Sequence, residues 1–209
     1  MLTIENVQVF GFQAAIRGMR NPKNSWSKSD STFEMSTDDV GVQTIDLGPA
    51  DLKLASALAN SGPDDGKFLR MIHVQLDVTA PLYWHKEADQ YKVGTVTDSC
   101  STMHKIHAKE FDVNDFSHEH LYSPLHDLKP TVDLLNVYRE RFLDTKDKED
   151  WWQLIQLLPS SYNQRRTWDL NYAVLRNIYH ARRNHKLDEW HTLCDWIETL
   201  PYAKELICG

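Results

Sequence analysis

Cysteine is scarce in this chain: Cys100, Cys194 and Cys208 are three among 209 residues. So odd and sparse a set is no disulfide framework and suggests a reducing compartment. Long apolar runs are missing as well. No stretch approaches the roughly 20 residues needed to span a bilayer, so no membrane role is expected. The opening residues, Met1-Leu2-Thr3-Ile4-Glu5-Asn6, lack the basic and apolar regions of a secretory signal. A cytoplasmic protein is the expectation. Positive charge is not in excess either, since the formal net charge is −7. Sequence-independent binding to a nucleic-acid backbone wants a basic face, so no nucleic-acid polymer is expected as a partner. Any phosphate site must be local.

What is present is apolar bulk in large side chains. Seven Trp, eight Tyr and seven Phe supply a core that the modest 41% hydrophobic fraction alone would not. The length suits one compact domain, residues 1–209. Val7 to Phe12 alternates as a short strand, and Gln13 to Met19 begins a helix. Asn21 to Asp46, rich in Ser, Asp, Thr and Lys with Pro22 and Gly41, reads as a long polar loop, more often functional than structural. A helix starts at Pro49-Asp51 and stops at Ser61-Gly62-Pro63. Ile72, Val74, Leu76 and Val78 alternate with His73, Gln75 and Asp77, which predicts a half-buried strand.

Ala80-Pro81 opens a further helix through Tyr83, Trp84, Glu87, Ala88 and Tyr91, with proline at a permitted first-turn position. Gly94 to Thr102 is small and polar, a poor helix and a ligand-facing loop. Phe111 to Pro130 is irregular. From Thr131 the pattern is helical throughout, including one long segment from Arg165 to Asn184. Few strands, many helices and a helical C-terminal half make an α+β chain.

Within that last segment, Asn171, Leu175, Ile178 and Arg182 fall on one stripe about three turns long, with Asn177 roughly 120° to the side. A guanidinium can fork onto phosphate, and amides both donate to and accept from a heteroaromatic ring. The alternative is a set of solvated helix residues.

Two blocks resemble the flavin-dependent thymidylate synthases, the ThyX family. The late block carries Leu158-Pro159, Trp168, Asn171, Asn177 and Arg182 in matching type and spacing, followed by His185 and Glu189-Trp190. Ala173 stands where the family usually has a flavin-contacting Arg. The early block is anchored on Ala80-Pro81 and departs further from the signature R-H-R-x-x-S-x-N-x-x-S-x-R. Lys86-Glu87 replaces Arg-Gln, and Gln90-Tyr91-Lys92 replaces the Arg-His-Arg core. Thr95 and Thr97 stand for the first Ser and the Asn, Asp98 matches an acidic residue often found next, Cys100 falls at the second Ser and Thr102 at the final Arg. Lys86 is a point charge without the fork of an Arg. Together the blocks cover roughly residues 70–105 and 155–195.

The resemblance implies a ThyX-like fold, with a small antiparallel or mixed sheet and several long helices. It implies FAD as cofactor, methylenetetrahydrofolate and NADPH as further reactants, and a homotetramer with sites shared between subunits. The implied activity is at C5 of a pyrimidine deoxynucleotide, either dUMP or an altered base such as dCMP. Glu87 in place of a neutral Gln, with Asp98, makes an exocyclic amine a suitable partner, because a carboxylate accepts but does not donate. By carry-over, Lys86, Glu87, Gln90, Asp98 and Arg182 face nucleotide, and Tyr91, Lys92, Asn171, Asn177 and His185 face flavin. Reduced flavin brings the hydride and folate the one-carbon unit, so no protein nucleophile is obligatory. Cys100 nonetheless invites comparison with the unrelated cysteine-dependent thymidylate synthases, which attack C6 of the base. An ordinary loop cysteine is the other reading.

Function lives in the site rather than the fold, and here the site departs from the signature. A ThyX-fold protein that has lost catalysis and binds a nucleotide or only a partner is therefore a second expectation, and a structural or interaction protein of unrelated function a third. The histidines His104, His107, His118 and His120 read as surface residues rather than metal ligands, because no H-E-x-x-H and no Cys/His quartet is present. Arg166 and Arg183 read as solvated. Trp151-Trp152 with Leu154, Ile155 and Leu158 reads as core or subunit interface, and Ser25, Ser27, Ser29 and Ser31 near Trp26 as a polar loop, which the resemblance would let approach the flavin or nucleotide of a neighbouring subunit.

Overall fold

The computed structural model describes residues 1–35 and 43–209. Gly41, assigned above to the long polar loop, lies outside them. Strand β1 (Thr3–Phe10) leads into α1 (Phe12–Met19), and β2 (Thr32–Met35) pairs antiparallel with β3 (Gln43–Asp46), Thr32 opposite Asp46 and Phe33 opposite Ile45. Then follow α2 (Pro49–Asn60), the 3-10 segment Asp65–Met71, β4 (His73–Pro81), α3 (Leu82–Ala88) and β5 (Val96–Ser99). The remainder comprises α4 (Pro124–Asp127), α5 (Lys129–Thr145), α6 (Lys148–Leu157), β6 (Asn163–Asn171), α7 (Tyr172–Arg182) and α8 (Asp188–Ile197). β1, β4, β6 and β5 form a four-stranded sheet in the order β1-β4-β6-β5. Among the described residues no helix is long and apolar enough to cross a membrane.

The α+β expectation holds, with three corrections. Residues 163–171 are strand β6, not the start of a long helix. Their burial alternates: Gln164, Trp168 and Leu170 are buried, while Arg165 is exposed and Thr167 and Asp169 are more open than their neighbours. Period two places every second side chain on one face, and Thr and Trp favour a pleated surface. Second, β5 lies inside the expected loop Gly94 to Thr102. Third, the expected loop Asn21 to Asp46 contains β2 and β3. Pro81 ends β4 in extended conformation and serves as N-cap of α3, one place earlier than first-turn proline.

Two compact units result, one from Met1–Glu5, Asp77–Gln90 and Thr97–Thr167, the other from Asn6–Leu76, Tyr91–Val96 and Trp168–Gly209. In the first, Ile106, Phe111, Phe116, Val132, Leu135 and Leu154 form a core beneath α5 and α6. There His85 is fully buried, its Nε2 2.9 Å from the Gln164 carbonyl oxygen. Burial pulls its pKa down to about 4, against the opposing bond to Gln164.

In the second unit, Phe12, Tyr172, Leu175, Ile178 and Trp190 are all but inaccessible. α1 enters through Gly11, whose φ of +96° suits glycine, and an added Cβ would lie 2.0 Å from the Met71 carbonyl oxygen. The serine-rich loop is bound to α2. Fully buried Asp51 accepts from Arg20 Nε at 2.6 Å, from the Ser29 and Ser31 hydroxyls at 2.7 Å each, and from the Asp30 and Ser31 amides. Asp30 in turn accepts from the Ala50 and Asp51 amides at 2.9 Å each, closing the first turn of α2 from outside the helix. Ser29 and Ser31 thus serve a buried carboxylate.

Candidate functional site

The residues singled out from the sequence separate into three places. In the second unit, the segment Tyr91–Val96 is fastened to both ends of α7. At the N-terminal end Asn171 is the helix cap: its Oδ1 accepts from the Val174 amide at 3.1 Å, while its Nδ2 points to the Gly94 carbonyl at 3.4 Å. Gly94 has φ +82°, and a Cβ there would sit 3.1 Å from Asn171 Nδ2 and 3.2 Å from Val174, so the close approach needs glycine. At the C-terminal end Arg182 Nε donates to the Tyr91 hydroxyl at 2.8 Å. Its guanidinium carbon lies 5.5 Å from the Tyr91 ring centre and 4.9 Å from that of Trp190. His185 completes this aromatic corner, 6.2 Å centre to centre from Trp190, with its Nδ1 accepting from the Leu187 amide. Lys92 is exposed.

Asn177 is elsewhere. The stripe read from the sequence is the core face of α7: Leu175 and Ile178 are buried, with Asn171 and Arg182 at its two ends. Asn177 shares a different stripe with Ala173, Arg176 and His180, at offsets 0, 3, 4 and 7. That stripe walls a cavity of about 430 Å³ also bordered by Asn60, Gly62, Pro63, Leu69 and Arg70. The two amides that the resemblance assigns to one ligand thus lie on different faces of one helix. Arg176 is spent on the protein itself, donating to the carbonyls of Leu206, Ile207 and Gly209 and to Asn60 Oδ1 at 2.7 to 3.2 Å. Burial lowers its pKa. Arg70, Arg176 and His180 were not singled out from the sequence. The i, i+3, i+4, i+7 spacing around Ala173 was the available signal for Arg176 and His180, whereas Arg70 belongs to another element and left none.

The first unit holds Lys86 and Glu87 on α3, Gln90 in the turn after it, Asp98 on β5 and Cys100 just beyond β5. All are exposed except the half-buried Glu87. The main chain of Cys100 is pinned to β6: its amide donates to the Arg165 carbonyl at 2.9 Å, and its carbonyl accepts from Gln164 Nε2 at 2.6 Å. The thiol itself is exposed. Arg166 is not solvated, contrary to expectation. It bonds Asp89 at 2.6 Å and Gln164 Oε1 at 2.9 Å, and only 13% of its side chain is accessible. Strand alternation explains the difference, because period two turns Arg166 away from its exposed neighbour Arg165.

No protein-family model matches the chain, and no curated protein matches it. Solved structures do. ThyX of Helicobacter pylori with FAD and dUMP aligns over 99% of this chain and 97% of its own, at TM-score 0.70 and 16% identity. This chain has a ThyX-like fold. A second Helicobacter pylori ThyX complexed with FAD and dUMP gives TM-score 0.65 over 98% and 97%, again at 16% identity. The UMP/dUMP methylase PolB of Streptomyces cacaoi, bound with 5-Br dUMP, gives 0.67 over 100% and 95% at 14% identity. The ThyX-like likeness therefore runs along essentially the whole chain, well beyond the two sequence blocks.

Proposed function

We propose that this protein binds FAD and a pyrimidine deoxynucleotide and acts at C5 of the base, dUMP or an altered base such as dCMP, with methylenetetrahydrofolate as one-carbon donor and NADPH as reductant. The observation that carries this reading is the end-to-end likeness to a ThyX with FAD and dUMP and to a UMP/dUMP methylase. The lining of the cavity on α7 supports a flavin nucleotide as its ligand. The Asn177 amide both donates and accepts, Leu69, Pro63 and Ala173 offer apolar wall, and nothing lies within 4 Å of a Cβ built on Gly62, so the backbone there borders open space.

Bound and reduced, FAD supplies the hydride. The chain's own residues bind and orient. Asn177 would hold the flavin through its amide, and Lys92 and His185, which do not line that cavity, would meet a flavin held by a neighbouring protomer. Asn171 and Tyr91 act by holding the Tyr91–Val96 segment on α7. Arg182, held by the Tyr91 hydroxyl and packed against the Tyr91 and Trp190 rings, is preorganised for a nucleotide phosphate. Lys86, Gln90 and Asp98 contact the nucleotide, Glu87 accepts from an exocyclic amine, and Cys100 offers an exposed thiol for addition at C6. A homotetramer in the cytoplasm, with sites shared between protomers, completes the reading.

A second reading, a nucleotide-binding protein without catalysis, is favoured by one observation. Tyr91, which stands in the Arg-His-Arg core, is turned onto Arg182 and Trp190. The absorbance spectrum of the purified protein, followed by titration with dUMP and dCMP, separates the two. A flavin band perturbed by either nucleotide supports the first reading. Colourless protein stabilised against heat by nucleotide supports the second, and no response to flavin or nucleotide overturns both.

A further inference from the structure

Two guanidinium groups and one imidazole border the 430 Å³ cavity: Arg70, Arg176 and His180. They are unequal. Arg176 spends both terminal nitrogens on four protein oxygens, and its guanidinium closes the C-terminal segment against α2 and α7. Among the described residues Arg70 makes no hydrogen bond and no ion pair, and it is exposed at the end of the Asp65–Met71 segment. His180 stands one turn beyond Asn177 in the last turn of α7, stacking edge-on with Tyr179. On the same stripe Ala173 has no polar group to offer, although this is the position where the ThyX resemblance calls for a flavin-contacting Arg. A cavity lined by the Asn60 and Asn177 amides and by an uncommitted guanidinium suits a ring joined to a phosphate, in a protein whose net charge of −7 otherwise repels anions.

We propose that Arg70, assisted by His180, binds a phosphate of the flavin nucleotide in this cavity, replacing from the Asp65–Met71 segment the cation that α7 lacks at Ala173. The proposal rests on the flavin reading of the cavity given above. Its chemistry is specific: a guanidinium forks onto two phosphate oxygens, which a lysine in its place cannot do.

Equilibrium binding of FAD and of riboflavin, which carries no phosphate, tests it on the full chain. Arg70→Ala is expected to weaken FAD binding at least roughly tenfold while leaving riboflavin within about twofold. Arg70→Lys recovers part of the loss, and His180→Ala loses less than Arg70→Ala. Melting curves of the Arg70 variants match the wild type, because Arg70 has no partner to lose among the described residues. FAD binding unchanged in both Arg70→Ala and Arg70→Glu overturns the proposal and leaves the flavin reading standing. So does an equal loss for FAD and riboflavin. Wild-type protein that binds neither compound overturns the flavin reading and the role of Arg70 together.

Discussion

Arg182 and Tyr91 are joined twice, by a 2.8 Å hydrogen bond from Nε to the hydroxyl and by the guanidinium lying 5.5 Å from the ring centre. Trp190 approaches the same guanidinium to 4.9 Å. The pair ties the Tyr91–Val96 segment to the C-terminal end of α7, as Asn171 ties it to the N-terminal end. Three residues that sequence resemblance assigns to ligands are thus also the fastenings of one segment.

A double-mutant cycle on Arg182→Ala and Tyr91→Phe measures this fastening. Urea unfolding is expected to give a coupling of about 1 kcal/mol, from one hydrogen bond to a charged donor. Arg182→Ala alone costs more, about 2 kcal/mol, because contact with both rings is lost. A coupling near zero means that the hydrogen bond contributes nothing to the folded state.

Asn171→Ala removes the cap of α7 and is expected to lower stability by about 1 kcal/mol. Asn171→Asp keeps an acceptor for the Val174 amide and retains most of it. Comparing FAD binding in the two variants separates capping from flavin contact: equal binding in both, at wild-type level, confines Asn171 to the cap.

Asp51 makes the second unit sensitive to acid. Burial works to raise its pKa, but the Ser29 and Ser31 hydroxyls, Arg20 and the Asp30 amide outweigh burial and bring it to about 2. A depressed carboxylate contributes stability above its ordinary value near 3.8, and that contribution is lost as pH falls through about 2. Denaturation midpoints between pH 5 and pH 2 should therefore fall less steeply in Asp51→Asn than in wild type. Arg20→Ala, which leaves a buried carboxylate without its cation, is expected to cost about 3 kcal/mol at neutral pH.

His85 acts at higher pH. Its folded value of about 4 lies below the ordinary 6.5 because burial disfavours the imidazolium. The stability it contributes is complete above pH 6.5 and is lost as pH falls through 4, by an amount on the order of 3 kcal/mol. His85→Gln removes the titrating group while keeping a donor for the Gln164 carbonyl. Its stability profile should be flatter across that window, and an unchanged slope refutes the assignment.

Cys100 presents an exposed thiol on a main chain held by β6. Cys100→Ala is expected to melt within about 1 °C of wild type, as surface changes generally do. If the thiol adds to the base, the variant retains FAD and loses turnover. Full turnover in Cys100→Ala removes Cys100 from the chemistry.

Apart from β2 and β3, helix and strand content in the first ninety residues was legible from local pattern. The alternation at Ile72 to Val78 and the proline at the start of α2 each specify an element through their own neighbours. β6 was not legible, because aromatic and amide residues at helical offsets look the same as a buried strand when periods two and 3.6 overlap over nine residues. The role of Ser29 and Ser31 was hidden for another reason: their partner, Asp51, is twenty or more residues away in sequence.

Resemblance across two blocks, roughly residues 70–105 and 155–195, pointed to ThyX, and the backbone extends that likeness to nearly the entire chain. Composition and charge by themselves set the expectation that any anion site here is local, and periodicity determined that β4 buries one face. Which α7 side chains meet was decided by tertiary structure. Helical phase separates Asn171 from Asn177, but only packing puts one on a cap and the other on a cavity wall, and only packing brings Arg70 to that wall from a remote segment. Local interactions set dihedral angles, whereas a binding surface is assembled by contacts between residues far apart in sequence, which no local pattern encodes.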